Sequence, residues 1–275
     1  LRGGGRRKSL IIGITAVLLI YGDLYDFGRS FNGIISSGVY ERRPDSAAFI
    51  LQDVEAKSTD PPRLLSLISE KNSPYDWHGG WALDQESYRQ YPQTLRYYTG
   101  SMYGLANVLP GWSPLHLKRQ WELTQCYPAI MPMTGINYVV SYQALNLPGL
   151  ELAFDAGVKV YRHTKALPHA YMVRDYRVVK DTKKRLHYLK SRGFEPRREV
   201  VLEEEPKVRY APTHPSAGRD VKIVSYSGED VTIQLGEHQG GFLVLSDTYY
   251  PGWRAYIDGR EQRILQANHV FRAVE

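Results

Sequence analysis

The feature that most constrains this chain is an uninterrupted apolar run near its amino terminus. The run LIIGITAVLLIY occupies residues 10–21 and follows the basic segment GGGRRK at residues 3–8. A helix that crosses a bilayer needs about 20 mostly apolar residues, so the run spans a membrane only if it extends from about Lys8 to Phe27. Tyr21 and Tyr25 would then lie at the interface, where aromatic side chains are common. We predict a cytoplasmic flank and one transmembrane helix, the last of its protein, in residues 1–27.

Two other interpretations of this run remain open. A secretory signal peptide has the same basic flank and apolar centre, although residues 22–30 (GDLYDFGRS) supply no small-residue cleavage site. A buried core helix fits the length of the run, but three glycines and two arginines at its entrance do not suit a core. Because positive charges stay on the cytoplasmic side, the span and the signal peptide both place residues from about 28 onward outside the cytoplasm.

Composition narrows the class of protein. The chain has 275 residues, of which 43% are hydrophobic and 23% charged, so it is neither wholly buried in lipid nor disordered. Its net charge of +6 would suit a polyanion, but several positive charges flank the apolar run and no nucleic-acid-binding signature accompanies them. We therefore expect no nucleic-acid partner. The sequence starts at Leu1 and stops at Glu275 inside a strand-like pattern, so we interpret it as part of a longer protein.

Beyond the apolar run, the pattern predicts an α+β fold with a mixed α/β exported domain at residues 28–206 and an antiparallel β-sandwich, incomplete, at residues 207–275. Residues 181–192 read as a helix capped by Asp181. Residues 158–161 and 170–173 read as short strands. Asp-Gly at 258–259 predicts a type I′ hairpin turn, because both central residues of that turn need positive φ. Short strands at regular spacing are typical of a sandwich.

The predicted helix at residues 181–192 carries a basic face. Five positive side chains contribute to it: Lys183, Lys184, Arg185, Lys190 and Arg192. We expect a solvated helix surface here, and a ligand-binding patch is the alternative.

Aromatic and acidic side chains alternate in residues 75–112, which suggests a carbohydrate site. Aromatic rings stack on the C–H faces of sugars, while polar side chains bind the hydroxyl groups. Paired carboxylates could also catalyse glycoside hydrolysis. The alternative is that the tryptophans anchor a core or an interface and the acids are solvated. The candidate substrate-binding residues are Trp77, His78, Trp81, Asp84 and Trp112.

The sequence contains no motif for a metal, a cofactor or a catalytic nucleophile. The eight histidines lack ligand spacing, and the single cysteine, Cys126, cannot form a structural zinc site. No nucleophile elbow, phosphate loop, dinucleotide fingerprint or EF-hand pattern occurs. We predict no metal, no cofactor and no catalytic residue in this chain, and we interpret Cys126 as a small buried hydrophobic residue.

One long run points to a family. Residues 241–259, GFLVLSDTYYPGWRAYIDG, closely resemble the end of the bacterial YfhO family of membrane proteins. Four further runs are similar to landmarks of that family in the same order: GINYVVS at 135–141, VKVY at 158–161, ALPHAY at 166–171 and ILQANHVFRA at 264–273. The resemblance is strong from about Met131 and looser between residues 30 and 130. His169 stands where the resemblance predicts arginine.

This resemblance implies a polytopic protein like the C-type-fold glycosyltransferases, which take sugars from polyprenyl-phosphate carriers outside the cytoplasm. In Gram-positive members it implies glycosylation of envelope polymers such as lipoteichoic acid. The catalytic acid of those transferases lies in the first exported loop, between amino-terminal spans, so no catalytic residue carries over to this chain. We therefore expect an extracytoplasmic accessory module of a bacterial cell-membrane glycosyltransferase.

The expected partners of such a module are the lipid bilayer and an envelope glycan or lipid-linked sugar. A different class also fits the sequence, namely a non-enzymatic, membrane-anchored envelope module that binds glycan or protein. A soluble glycosidase is a third class. Further spans encoded upstream would favour the transferase, and a lone anchor would favour the binding module.

Overall fold

A computed structural model describes residues 3–31, 37–54, 61–68, 90–108, 117–207, 221–237 and 240–275. The fold is α+β, as the sequence predicts. The helices are α1 Gly3–Phe31, α2 Gly38–Glu41, α3 Asp45–Asp53, α4 Lys118–Thr124 and α5 Thr182–Leu189. Short 3₁₀ helices occupy Tyr91–Thr94, Gly100–Tyr103 and Met131–Thr134.

Helix α1 contains the apolar run and stands apart from the body. Its segment Lys8–Gly28 has 21 residues and a mean hydropathy of 1.7, and none of it is buried by the rest of the described chain. By length and composition this segment can cross a membrane. A buried core helix would pack its apolar side chains against the body, so the structure does not support that alternative. A signal sequence would have the same properties.

The first half of the body is a five-stranded sheet in the order β2-β1-β3-β5-β4. Strand β1 runs parallel to β2 and β3, whereas β5 is antiparallel to both β3 and β4. Helix α3 covers one face, where Ile50 packs in one core with Val140 and Val160. The other face forms a second, smaller core around Val139 and Tyr161. The strands are β1 Arg63–Ser66, β2 Ala106–Asn107, β3 Tyr138–Ser141, β4 Leu150–Ala156 and β5 Val158–His163.

The second half of the body is a six-stranded sheet in the order β6-β11-β15-β14-β8-β7. All neighbouring strands are antiparallel except β7 and β8, which are parallel. Helix α5 packs on it through Leu189, in a core with Phe242 and Val201. The strands are β6 Ala170–Val173, β7 Asp175–Val178, β8 Glu199–Leu202, β11 Phe242–Thr248, β14 Ile264–Ala267 and β15 Phe271–Val274.

This second sheet bears on the predicted boundary at residue 207. Three of its strands precede that residue and three follow it, so a boundary there would divide the sheet. Residues 207–275 thus share a sheet with strands from the expected middle domain. Local patterning predicts each strand but not its partner, because pairing depends on contacts between distant parts of the chain.

Two small hairpins flank the sheets. Strands β9 Val221–Tyr226 and β10 Val231–Leu235 form one, and β12 Ala255–Ile257 and β13 Arg260–Gln262 form the other. In the second hairpin Asp258 has φ 49° and Gly259 has φ 78°, which confirms the positive φ values predicted for this turn.

Helix α5 confirms the predicted cap and corrects the predicted basic face. The Asp181 side chain accepts a hydrogen bond from the Lys184 amide at 2.8 Å, and the helix ends at Leu189, three residues earlier than expected. Arg185 was expected on the basic face but its side chain is completely buried. It turns inward because carboxylate and carbonyl acceptors beneath the helix take up its donors.

A glycine permits the close approach of β11 to β6. Gly241 has φ +135°, and a Cβ atom there would lie 2.6 Å from the carbonyl oxygen of Val173. Any other residue at this position would combine an unfavourable φ with a collision against backbone, so the entry to β11 requires glycine.

Candidate functional site

A buried carboxylate lies where the two sheets meet. Asp247, near the end of β11, has a side chain that is only 13% exposed. Its Oδ1 accepts hydrogen bonds from Arg63 Nη2 at 2.5 Å and His169 Nε2 at 2.7 Å, and its Oδ2 accepts one from Arg272 Nη2 at 2.7 Å. The Tyr226 hydroxyl donates to Oδ1 from 3.4 Å. Donors from four other segments therefore converge on one carboxylate, which we call the Asp247 cluster.

Arg63 is the member of the cluster that connects the sheets. It belongs to β1 of the five-stranded sheet and is nearly buried. Its Nη1 donates to the Ser246 carbonyl and hydroxyl oxygens, both at 3.0 Å, and to the Thr134 carbonyl at 3.3 Å. Its guanidinium also contacts Nε2 of His169. One arginine side chain thus spans from the first sheet to the end of β11 in the second.

The surroundings leave little free space at this junction. A Cβ atom added at Gly135 would lie 3.5 Å from Ser246 Oγ and 3.6 Å from Arg63 Cδ. Gly135 has φ +68° and directly follows the 3₁₀ helix that supplies the Thr134 carbonyl. Backbone from the middle of the chain therefore packs closely against the Arg63–Ser246 contact.

Three of the five sequence runs that carry the family resemblance supply members of the Asp247 cluster: run 166–171 supplies His169, run 241–259 supplies Asp247, and run 264–273 supplies Arg272. A fourth, run 135–141, lies beside the cluster through Gly135, next to Arg63 and Ser246. The fifth run, 158–161, forms β5 in the neighbouring sheet. No local sequence pattern predicts that these runs lie close together.

Trp253 ties the Tyr-Pro-Gly-Trp turn to the same cluster. The guanidinium carbon of Arg272 lies 4.0 Å from the centroid of the Trp253 ring, a cation–π contact. The Arg272 guanidinium therefore contacts the face of the Trp253 indole, and its Nη2 donates to the Asp247 carboxylate. The turn at residues 250–253 is thereby anchored at its tryptophan end, while Tyr250 remains exposed.

The electrostatics of the cluster keep Asp247 ionised. Burial alone would raise the pKa of Asp247, but the His169 hydrogen bond and the charges of His169, Arg63 and Arg272 outweigh burial and lower the pKa well below its usual range. A carboxylate with so low a pKa is a poor proton acceptor at neutral pH. The cluster is therefore suited to holding the sheets together.

A second polar cluster surrounds the turn between β14 and β15. Asn268 has φ +45° and His269 has φ +77°, and neither residue is exposed. The Asn268 amide donates to the Val201 carbonyl at 2.8 Å, and the Val201 amide donates back to Asn268 Oδ1 at 2.9 Å. The Asn268 side-chain amide also donates to the Tyr171 hydroxyl at 3.3 Å. These bonds offset the strain of a left-handed backbone.

His269 is held between an arginine and a glutamate. Its Nδ1 accepts from Arg185 Nη2 at 3.2 Å, and its Nε2 donates to Glu122 Oε2 at 3.1 Å. Burial and the charges of Arg185 and Arg119 lower the pKa of His269, and Glu122 opposes this only in part. Both the hydrogen-bond geometry and the lowered pKa indicate that the His269 ring is neutral and carries its proton on Nε2.

Two arginines complete this second cluster on Glu203. Arg185 Nη2 lies 3.1 Å from Glu203 Oε1, and Arg119 Nη2 donates to Oε2 at 3.2 Å. Arg119 also donates to the His269 carbonyl at 3.3 Å. Helices α4 and α5 are thus both linked to the turn between β14 and β15 by arginine hydrogen bonds to His269.

The site residues expected from the sequence cannot be compared with these clusters. Trp77, His78, Trp81, Asp84 and Trp112 all lie outside the described residues. Cys126 is buried, as predicted, and burial raises the pKa of its thiol. Among the described residues there is no group of three or more His, Cys, Asp or Glu side chains placed to hold a metal ion.

Neither cluster was predicted from the sequence. A polar pair, Ser246–Asp247, directly after the apolar residues 242–245 was a usable signal, because a carboxylate at the end of a buried strand needs partners. The identity of those partners had no local signal, since Arg63 is 184 positions away from Asp247.

Comparison with protein-family models, with curated proteins and with solved structures gives no significant match to this chain. The resemblance to the YfhO family therefore stays a prediction, and the functional argument rests on the residues themselves.

Asp247→Asn should strongly destabilise the body. The substitution keeps the shape of the side chain but leaves Arg63 and Arg272 buried without a counter-charge, which costs about 3–5 kcal/mol. Urea unfolding of the full chain in detergent, followed by circular dichroism, measures this loss. Because the folded pKa of Asp247 is lowered, its contribution is complete above about pH 4 and is lost as the pH falls further. The difference from wild type should shrink below that pH.

Asp258→Asn is the matched control for this substitution. It makes the same chemical change in an exposed hairpin turn, at a φ that asparagine tolerates. Its effect should stay within about 0.5 kcal/mol. Equal stability of the two variants would show that the Asp247 cluster contributes nothing to cohesion.

His269→Asn should reduce the pH dependence of stability in mildly acidic solution. The pKa of folded His269 is lowered, so between that pKa and the unfolded value of about 6.5 the unfolded chain binds more protons. Wild-type stability should therefore fall as the pH drops below about 6.5, by up to about 1.4 kcal/mol per pH unit from this residue. Asparagine tolerates the positive φ and does not titrate.

The control for this measurement is His187→Asn, on the exposed side of α5. It should leave the wild-type pH profile of the unfolding free energy unchanged. An unchanged slope in His269→Asn would contradict the assignment of a buried neutral ring.

Proposed function

We propose that this chain is the extracytoplasmic accessory module of a polytopic bacterial membrane glycosyltransferase. The substrate class is a cell-envelope polymer, and the donor is a sugar linked to polyprenyl phosphate. The observation that carries the proposal is the convergence of runs 166–171, 241–259 and 264–273 on the Asp247 cluster, with run 135–141 beside it. The runs that carry the resemblance thus lie in one connected part of the body.

The proposed location follows from α1. A basic flank precedes the exposed apolar segment Lys8–Gly28. By the positive-inside rule the amino terminus is cytoplasmic and the body lies outside, at the surface of the bacterial cell membrane.

The accessory role is supported by how the buried acids are used. Asp247 accepts from Arg63 and Arg272, and Glu203 accepts from Arg119 and Arg185. Carboxylates that bind two arginines each hold the body together instead of exchanging protons with a substrate. On this proposal, the body shapes the acceptor entrance, and residues 75–112 contact sugar through Trp77, His78, Trp81, Asp84 and Trp112.

A non-enzymatic, membrane-anchored binding module is the second candidate. It is favoured by the number of large side chains that the body leaves exposed. Tyr98, Trp121, Tyr250 and Tyr256 each expose more than half of their surface. Amphipathic aromatic side chains of this kind are enriched where proteins bind partners.

The test is sugar modification of envelope polymers in cells. Polymers are analysed by mass spectrometry from cells that lack the gene and from cells complemented with the whole gene or with variants. We expect one sugar-modified polymer species to disappear on deletion and to return with the wild-type gene. The double variant Trp77→Ala, Trp81→Ala should reduce the amount of the sugar-modified polymer at least about fivefold. Each stacking contact between a tryptophan ring and a sugar contributes on the order of 1 kcal/mol.

Trp121→Ala is the matched control, since it removes an exposed tryptophan from α4, outside the proposed sugar contact. It should restore the modified polymer to the wild-type level. If deletion of the gene leaves every envelope polymer unchanged, the transferase assignment is wrong. Glycan binding by the purified chain in that situation would support the binding module.

A further inference from the structure

A buried cation lies in the loop between the 3₁₀ helices Tyr91–Thr94 and Gly100–Tyr103. Arg96 is the only charged side chain in residues 90–107, and only 7% of the residue is exposed. No carboxylate in the described part of the chain forms an ion pair with it. Charged side chains are almost never buried without a partner, because removing an unpaired charge from water costs free energy. The described residues therefore do not account for the burial of this charge.

The Arg96 guanidinium has few hydrogen-bond partners. Its Nη2 donates to the Tyr97 hydroxyl, and its carbon lies 4.5 Å from the centroid of the Tyr97 ring, a cation–π contact. Its Nε is buried and has no hydrogen-bond partner. Its Nη1 is also unpaired among the described residues, but it is not buried. Most of the N–H donors of this side chain are therefore unused, and Nη1 is the accessible one.

The other buried arginines use their charge for cohesion. Four arginines in the described chain are at least nine-tenths buried. Three of them bind the carboxylates of Asp247 or Glu203, whereas Arg96 binds none. Its charge thus has no role in joining the described elements.

The backbone on either side of this arginine is strained and firmly held. Leu95 has φ 47° and Tyr97 has φ 51°, values that are uncommon for bulky side chains. The Ser66 hydroxyl of β1 donates to the Thr94 carbonyl at 2.9 Å. The Asn107 side-chain amide donates to the Leu95 carbonyl at 3.1 Å. Strained residues persist where the surroundings fix them, and they are common at ligand sites. The loop therefore holds the guanidinium in place before any ligand binds.

We propose that Arg96 binds a carboxylate group of a ligand at this loop. The planar N–H donors of a guanidinium match the two oxygens of a carboxylate, and such charge-assisted hydrogen bonds are stronger than neutral ones. A single cation in an otherwise uncharged stretch neutralises a carboxylate completely. A phosphate monoester carries up to two negative charges and would keep part of its charge uncompensated.

This inference concerns the binding of one anionic group and not the transfer of sugar. Although Arg96 lies within residues 75–112, carboxylate binding by the purified chain is measured without any glycosylation. Failure of the carboxylate site and failure of the proposed function are therefore distinguishable.

The experiment follows the Arg96 side chain by nuclear magnetic resonance in the full chain, labelled with ¹⁵N-arginine and held in detergent micelles. The Nε–H signal is assigned by its disappearance in Arg96→Met. Sodium acetate is the probe, and sodium chloride at the same ionic strength is the reference. We expect the signal to shift and saturate with acetate but not with chloride. An equal response to both salts would overturn the site, since it would reflect ionic strength alone.

Inorganic phosphate tests the choice of anion. Because one guanidinium leaves part of its charge uncompensated, phosphate should bind more weakly than acetate at neutral pH. Saturation of the Arg96 signal by phosphate without saturation by acetate would overturn the assignment to a carboxylate.

Arg96→Met also tests whether the charge serves binding or cohesion. Methionine keeps a long unbranched side chain without charge, so without acetate this variant should be at least as stable as the wild type. Acetate should raise the unfolding temperature of the wild type, because a ligand that binds only the folded chain stabilises it. The unfolding temperature of Arg96→Met should not respond to acetate beyond its response to chloride.

The matched control is Arg260→Met, which makes the same change at an exposed arginine of β13. Its unfolding temperature should respond to acetate as that of the wild type does. Equal responses in Arg96→Met and Arg260→Met would overturn the site. A loss of stability in Arg96→Met as large as that expected for Asp247→Asn would also overturn it, since the charge of Arg96 would then hold the body together.

Discussion

The contact between Arg63 and Asp247 is the interaction on which the rest of the body depends. A carboxylate removed from water costs several kcal/mol unless charged donors replace its hydration. Asp247 obtains those donors from β1, β15 and the segment before β6, so no single sheet can satisfy it. Since Arg63 belongs to the five-stranded sheet and Asp247 to the six-stranded sheet, separating the sheets would leave buried charge unpaired on both sides.

In the second cluster, a carboxylate likewise binds charged donors from separate elements, here from two helices. Arg185 of α5 and Arg119 of α4 both bind Glu203. Both arginines also donate hydrogen bonds to His269 in the buried turn between β14 and β15. In the six-stranded sheet, the three strands that follow residue 207 lie side by side between strands that precede it. The two helices, the turn and the six-stranded sheet are therefore joined by buried charge pairs and hydrogen bonds.

Sequence patterns predicted those parts of the fold that depend on neighbouring residues. The Asp181 cap, the strand at Ala170–Val173 and the turn at residues 258–259 all have local causes, and the structure confirms them. The short strands β1 and β7 and the order of the six-stranded sheet were missed, because strand pairing depends on distant partners. The candidate sugar residues lie in a part of the chain that the structure does not describe. The Asp247 cluster could not be predicted, since no periodicity links position 63 to position 247.

The central claim is that a charge pair couples the two sheets, and a double-mutant cycle tests it most directly. The unfolding free energy is measured for the wild type, Arg63→Gln, Asp247→Asn and the double variant under identical conditions. A direct contact between the sheets predicts a coupling energy of about 1–3 kcal/mol, because the second substitution costs little once the first has removed the pair. Additive effects, with a coupling energy near zero, would contradict the account, because the Arg63–Asp247 pair would then contribute nothing to holding the sheets together.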